Sequence, residues 1–274
     1  MTHREGGSMT SAQVAQGLAL LRLEILNGIR SPRFLLLGLG LPLAIFAAYM
    51  VSGIGGTTDR PVDGIVWSSY LMVSMAAFGA MSVAIGMAAG RFGTSPRPVH
   101  REPAGSAGTR VGWMLGARLV TAMLLVLTPL LLLELAGFLE GIRLPAWEWP
   151  ALVLSMWVGV LPFIALGLLL GQTLAADTGD VVFVGVVVVL AIIGGLFQPI
   201  ATFPAALATL ARVLPSYHLA DLGWTTIAAR AADPADVLVL AGYTVGIGAV
   251  AAWRTRSEDA RTGETGRTDN GTAG

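Results

Sequence analysis

Cysteine is absent from this 274-residue chain, which excludes disulfides, thiolate metal sites and cysteine nucleophiles. Lysine is absent too: all 17 basic residues are arginine. A P-loop needs a lysine on the nucleotide phosphates, and a pyridoxal site needs one for its Schiff base. Neither can be built from this chain. Charge of either sign is scarce, at 12% of residues against about 25% in a soluble domain. Histidine is limited to His3, His100 and His218, in three separate segments, and no HExxH occurs. Soluble enzyme, nucleic-acid binder and disordered chain are therefore poor descriptions, and no catalytic or metal-binding constellation emerges.

What the chain does have is apolar sequence: 54% hydrophobic residues and a mean hydropathy of +0.72. A hydrocarbon core about 30 Å thick takes about 20 apolar residues to cross as a helix. Six stretches meet that length: Phe34 to about Ile54, Gly64 to Gly90, about Val111 to Gly137, Trp149 to Gly171, Val181 to about Phe197, and Asp236 to Arg254. The valine run after Asp180 would argue for a strand in water. In lipid a lone strand leaves its backbone groups unpaired, so a helix is expected. The alternating ten-residue segments of a transmembrane barrel do not appear.

Orientation follows from arginine in the connections. With the N-terminus inside, the inner side carries Arg4, Arg22, Arg30, Arg33, Arg91, Arg97, Arg101, Arg110, Arg254, Arg256, Arg261 and Arg267. The outer side carries only Arg60, Arg143, Arg212 and Arg230. Both termini are expected in the cytoplasm of a cell-membrane protein. Trp67, Trp113, Trp147, Trp149 and Trp253 fall near span ends, where an amphipathic ring prefers to sit.

Three segments are not spans. Residues 1–33 hold a tail and an amphipathic helix from Ser11 to Ile29, with Val14, Leu18, Leu21, Ile25 and Ile29 on one face. It either lies on the inner leaflet or packs on a cytosolic partner. Gln198 to Ala232 is divided by Pro199, Pro204 and Pro215, and its apolar piece Ala205 to Leu214 is too short to cross. A re-entrant pair of half-helices dipping from the outside is expected. The polar residues 254–274 lack periodicity and read as a disordered tail. The organisation is thus all-α: a cytosolic tail and interfacial helix over 1–33, a six-helix membrane domain over 34–253, and a tail.

Glu134 is the one acidic residue within a span, and an intramembrane carboxylate is a functional candidate by default. It either lines a substrate path or reaches headgroups at the outer end of its helix. Arg118 cannot pair with it, since sixteen helical residues separate them by about 24 Å. Arg118 is expected to snorkel to the inner interface, and His218 to lie at the outer one. The pairs Gly86/Gly90, Gly167/Gly171 and Gly242/Gly246 permit close helix approach, but 35 glycines produce such pairs by chance.

A cytosolic amphipathic helix, six spans and a proline-broken outer segment together resemble the type-2 permease family of ABC exporters. The stretch that carries the likeness is Gly194-Gly195-Leu196-Phe197-Gln198-Pro199, then Phe203-Pro204, then Leu214-Pro215-Ser216-Tyr217. The resemblance runs from about Ala12 to Trp253. It implies a homodimer or heterodimer of permeases in the lipid bilayer, without an ATPase site of its own, exporting drug-like or amphiphilic compounds as in multidrug efflux and antibiotic resistance. ATP and magnesium would be bound by a separate ATPase subunit. Glu134, Gln198 and Pro199 would line the substrate path. The loop after the second span would couple to the ATPase through Arg91, Arg97, Arg101, Glu102 and Arg110. That loop departs from the family pattern, with three prolines in eight residues. It is either a divergent contact or a locally altered reading frame. An ion-coupled carrier or an intramembrane enzyme is the alternative.

Overall fold

The computed structural model describes residues 22, 25–26, 28–52, 64–90, 107–174, 176–230 and 233–269. These residues form helices and no β-strand. We number the helices α1 (Phe34–Val51), α2 (Trp67–Ala88), α3 (Ala107–Leu139), α4 (Glu148–Thr173), α5 (Ala176–Ile193), α6 (Ala205–Ala211), α7 (Pro215–Ile227) and α8 (Pro234–Asp269). Five are long and apolar enough to cross a membrane: α1, α2, α4, Arg118–Leu139 of α3 and Pro234–Thr255 of α8. The expected fifth span corresponds to a shorter apolar helix, Gly179–Ile193, because the chain turns at Gly194-Gly195 instead of continuing to Phe197.

Prolines shape three of these helices. Pro42 has no N–H to close a turn onto Gly38, and the stretch before it, Phe34–Gly40, widens into a π-helix. Pro162 interrupts α4 between Glu148–Gly159 and Leu161–Thr173, where Phe163 N–H turns instead to the Val160 carbonyl at 3.0 Å. Pro129 sits inside α3, and its ring lies against Gly79 of α2.

The core is α2. Its sequence is small residues and methionine almost throughout, apolar on every side, and every residue from Ser69 to Ala88 is buried. Small side chains let α1, α3, α4, α5 and α7 approach it from all directions. Its two deeper serines use their hydroxyls on their own helix: Ser74 donates to the Tyr70 carbonyl at 2.8 Å and Ser82 to Phe78 at 2.7 Å. The outer helices present apolar faces to their surroundings, with Val181 76%, Leu238 71% and Val245 71% exposed. A molecule whose core helix is sealed and whose perimeter is bare valine and leucine is built for lipid.

Contacts fix which helix ends meet. Arg33, just before α1, makes a two-pronged ion pair with Asp180 of α5 (Nη1–Oδ1 3.1 Å, Nη2–Oδ2 2.5 Å). Gln172 at the end of α4 donates to Thr255 of α8 at 3.1 Å. At the other end, Tyr49, Trp67 and Tyr70 gather where α1 stops and α2 starts, together with Trp224 of α7.

Most of the expected N-terminal amphipathic helix lies outside the described residues; those described between Arg22 and Arg30 are helical. The proline-divided segment holds two short helices, α6 and α7, of which α7 is the more deeply packed, against α2, α4 and α8. Helix α8 runs on to Asp269, past Arg254, where composition alone pointed to a disordered tail. Opposite charges recur three and four residues apart there (Arg254 and Glu258, Glu258 and Arg261, Arg261 and Glu264), a spacing that supports helix in water.

Candidate functional site

The turn that carries Gln198 and Pro199 is built by the two glycines before it. Helix α5 ends in a Schellman motif: Leu196 N–H bonds the Ala191 carbonyl at 3.0 Å and Gly195 N–H bonds Ile192 at 3.2 Å. The residue between must adopt a left-handed conformation, and Gly195 does so with φ +80. Its carbonyl accepts the Tyr70 hydroxyl at 2.8 Å, which pins the turn to the start of α2. Gly194 leaves room for Ser216, whose hydroxyl donates to the Leu190 carbonyl at 2.7 Å and so draws the start of α7 onto the end of α5. Phe197 then packs on Phe78, ring centroids 5.5 Å apart. Past this anchored turn, Gln198 is exposed and Pro199 half-buried, leading into a 3-10 turn at Ile200–Thr202.

Glu134 lies elsewhere. It is 7% exposed on α3, and its Oε1 has no hydrogen-bond partner. Helix α3 packs mainly on α2, α4 and α1, whereas α5 packs on α2, α4 and α6. The structure does not bring these candidates into one cluster. Glu148, missed in the sequence because it precedes its apolar run, is a second buried carboxylate at this end, 2% exposed with Oε2 unpartnered. It begins α4, where the aligned peptide dipoles favour negative charge. The ring of Phe138 meets that of Trp149 edge-on at 6.0 Å, which places the end of α3 beside the start of α4.

Of the expected coupling residues, Arg91, Arg97, Arg101 and Glu102 lie outside the described residues, and Arg110 falls in the first turn of α3. Arg118 is half-buried and its Nε has no partner.

The densest polar cluster is one that sequence reading placed at a membrane interface. His218 is buried, 6% exposed, on α7. Its Nδ1 is 2.6 Å from Asp236 Oδ1 on α8 and its Nε2 is 2.8 Å from the Arg212 carbonyl at the end of α6. Asp221, one turn further along α7, faces the same carboxylate. Burial acts to lower the His218 pKa, but bonds to Asp236 and Arg212 and the charges of Asp236 and Asp221 outweigh it and raise the value. Asp221 is pushed up to about 7, chiefly by burial and then by the neighbouring Asp236. Three residues separate His218 from Asp221, which sets both on one helical face. That was the available signal; the partner Asp236, eighteen residues on, carried none.

Where α7 meets α2, the rings of Trp67, Tyr70 and Trp224 stack in series, 5.5 and 4.6 Å between centroids, and Trp224 Nε1 donates to the Tyr70 carbonyl at 3.3 Å. Among the described residues no group of three or more His, Cys, Asp or Glu could hold a metal ion.

The chain was compared with known proteins. No family model matches, and no solved structure matches. A protein of Bacillus subtilis (strain 168) that carries the name transport permease YvfS is 25% identical over 229 residues, covering 80% of this chain and 89% of that protein. The likeness therefore extends through most of the apolar helices and is not confined to one segment.

Proposed function

We propose that this chain is the membrane-spanning permease subunit of an ATP-driven exporter of the type-2 ABC class, lining the translocation path at an interface between two permeases. The observation that carries the reading is the similarity to a protein named as a transport permease over 80% of this chain and 89% of that protein. The absence of lysine supports it, because a transporter without a P-loop must take ATP-derived energy from another chain. The Gly194-Gly195 turn and the proline-divided segment after it support the same class. ATP and magnesium belong to the partner ATPase, and the loop of Arg91, Arg97, Arg101, Glu102 and Arg110 is its contact. Both termini lie in the cytoplasm of a plasma-membrane protein.

Reconstitution in lipid vesicles tests this reading. The chain together with an ATPase subunit encoded beside it should move an amphiphilic cargo only when ATP is present. ATP hydrolysis by the purified chain alone, or transport that follows a proton gradient without an ATPase, overturns the proposal. The second reading, an ion-coupled carrier, draws on the buried, unpartnered Glu134 carboxyl in α3. Replacing Glu134 with Gln should impair proton-driven uptake under that reading.

A further inference from the structure

His218 joins three elements: its own helix α7, the end of α6 and the start of α8. Both atoms that its ring nitrogens meet are acceptors in their ordinary states, an aspartate oxygen and a backbone carbonyl. A neutral imidazole has a single N–H. With Asp236 ionised and His218 neutral, one of the two contacts would set a lone pair against a lone pair at 2.6 or 2.8 Å. Both contacts are satisfied when the ring carries a second proton, an imidazolium that donates to the Arg212 carbonyl and pairs with Asp236.

The surroundings hold that proton. Asp236 is 2% exposed, and its second oxygen, Oδ2, finds no donor. The negative charge of Asp221, on the same helix as His218, adds to that of Asp236, and both favour the protonated ring. The start of α8 is fixed locally: Asp233 Oδ1 accepts the Ala235 N–H at 2.8 Å and Pro234 occupies the first helical position. The Asp236 side chain is thereby left to face α7. The carbonyl of Arg212 is one of those that a helix end leaves without an internal partner, and Nε2 supplies its donor.

We propose that His218, Asp236 and Asp221 form a buried proton-binding site that clamps α7 between the end of α6 and the start of α8, and that loses its grip when the proton leaves. Removing the proton turns one His218 nitrogen from donor to acceptor, so either the Arg212 or the Asp236 contact must break. Asp236 on α8 and Asp221 on α7 bear on His218 through their charges, and the Tyr217 ring meets its ring edge-on. Of the nearby groups, Arg230 bears on Asp221, Tyr243 of α8 donates to the Val213 carbonyl and Asp233 accepts the Ala235 N–H. Helix α2 brings Tyr70 as its one titratable residue, its hydroxyl taken by Gly195, and Glu148–Gly159 of α4 brings Glu148. The site stands whether or not the chain works with an ATPase.

The test uses the full-length chain in lipid nanodiscs. With three histidines in the sequence, 15N-histidine labelling gives three imidazole signals, and the His3→Gln and His100→Gln variants identify that of His218 by elimination. The expected result is a His218 ring protonated on both nitrogens at neutral pH, titrating above His3 and His100, with its titration lowered in Asp236→Asn. A neutral His218 ring at neutral pH, or a titration that Asp236→Asn leaves unmoved, overturns the site; should that variant not fold, the wild-type titration decides. The clamp is read separately, from spin labels at Val213→Cys and Val237→Cys in this cysteine-free chain, both positions being exposed. Their distance distribution should be narrow at acid pH and lengthen or broaden as His218 loses its proton. A distribution constant across that titration overturns the clamp.

Discussion

At the scale of single residues, close approach separates glycines that look alike in the sequence. A Cβ on Gly167 would lie 2.5 Å from the Ile85 carbonyl oxygen and one on Gly171 2.9 Å from that of Ala89, so this pair seats α4 on the end of α2. Gly242 and Gly246 on α8 have nothing within 4 Å. Gly167→Ala should therefore destabilise the protein by about 1–3 kcal/mol, the usual cost of overpacking. Gly242→Ala should be neutral or gain up to roughly 1 kcal/mol from helix propensity. Thermal unfolding of both variants in one detergent checks the contrast, and equal melting temperatures would refute it. Tyr70→Phe keeps the stack on Trp224 but strips the donor from the Gly195 carbonyl, with an expected loss of about 1–3 kcal/mol in the same assay.

At the scale of elements, the turn after α5 and the junction of α6, α7 and α8 respond to different variables. Gly195→Ala places a side chain at φ +80, costing about 1–2 kcal/mol. The new Cβ would also stand 2.6 Å from Ile200 Cγ2. Limited proteolysis between α5 and α6 should accelerate in that variant, and an unchanged rate would count against the turn as an anchor. The junction answers to pH. His218 and Asp221 both have raised folded-state pKa values, so the folded protein holds more protons than the unfolded chain. Their contribution is therefore present in full at acid pH. For Asp221 it declines from about pH 4 to about 7, and for His218 it is lost as pH rises through its elevated value. Melting temperatures measured across that range should fall for the wild type and flatten for Asp236→Asn.

At the scale of the whole molecule, a fully buried central helix of small residues and methionine carries the packing, and the perimeter is left apolar. Such a body is suited to lipid around its whole perimeter. Deleting everything after Ser257 removes only the end of α8 that follows its apolar part, and ATP-dependent transport should persist at wild-type level. A large loss in vesicle transport would assign that helical extension a contact with a partner.

The sequence by itself determined the solvent and where five long apolar helices lie, because hydropathy over about 20 residues is a property of composition along the chain, whereas the expected span from Val181 to Phe197 is a shorter helix. It likewise excluded a P-loop within this chain, since no lysine exists to be positioned. It ran the fifth span through Gly194-Gly195 to Phe197, and the left-handed turn at Gly195 came only from the structure. The tertiary structure alone decided that α2 is the centre, that Gly167 and Gly171 face α2 whereas Gly242 and Gly246 face outward, and that Glu134 stands apart from Gln198. It also turned His218 from an interfacial residue into the buried partner of Asp236. The physical reason is common to all of these. In helices apolar on every side, periodicity no longer says which face meets which neighbour, and that choice is made by shape when the helices pack.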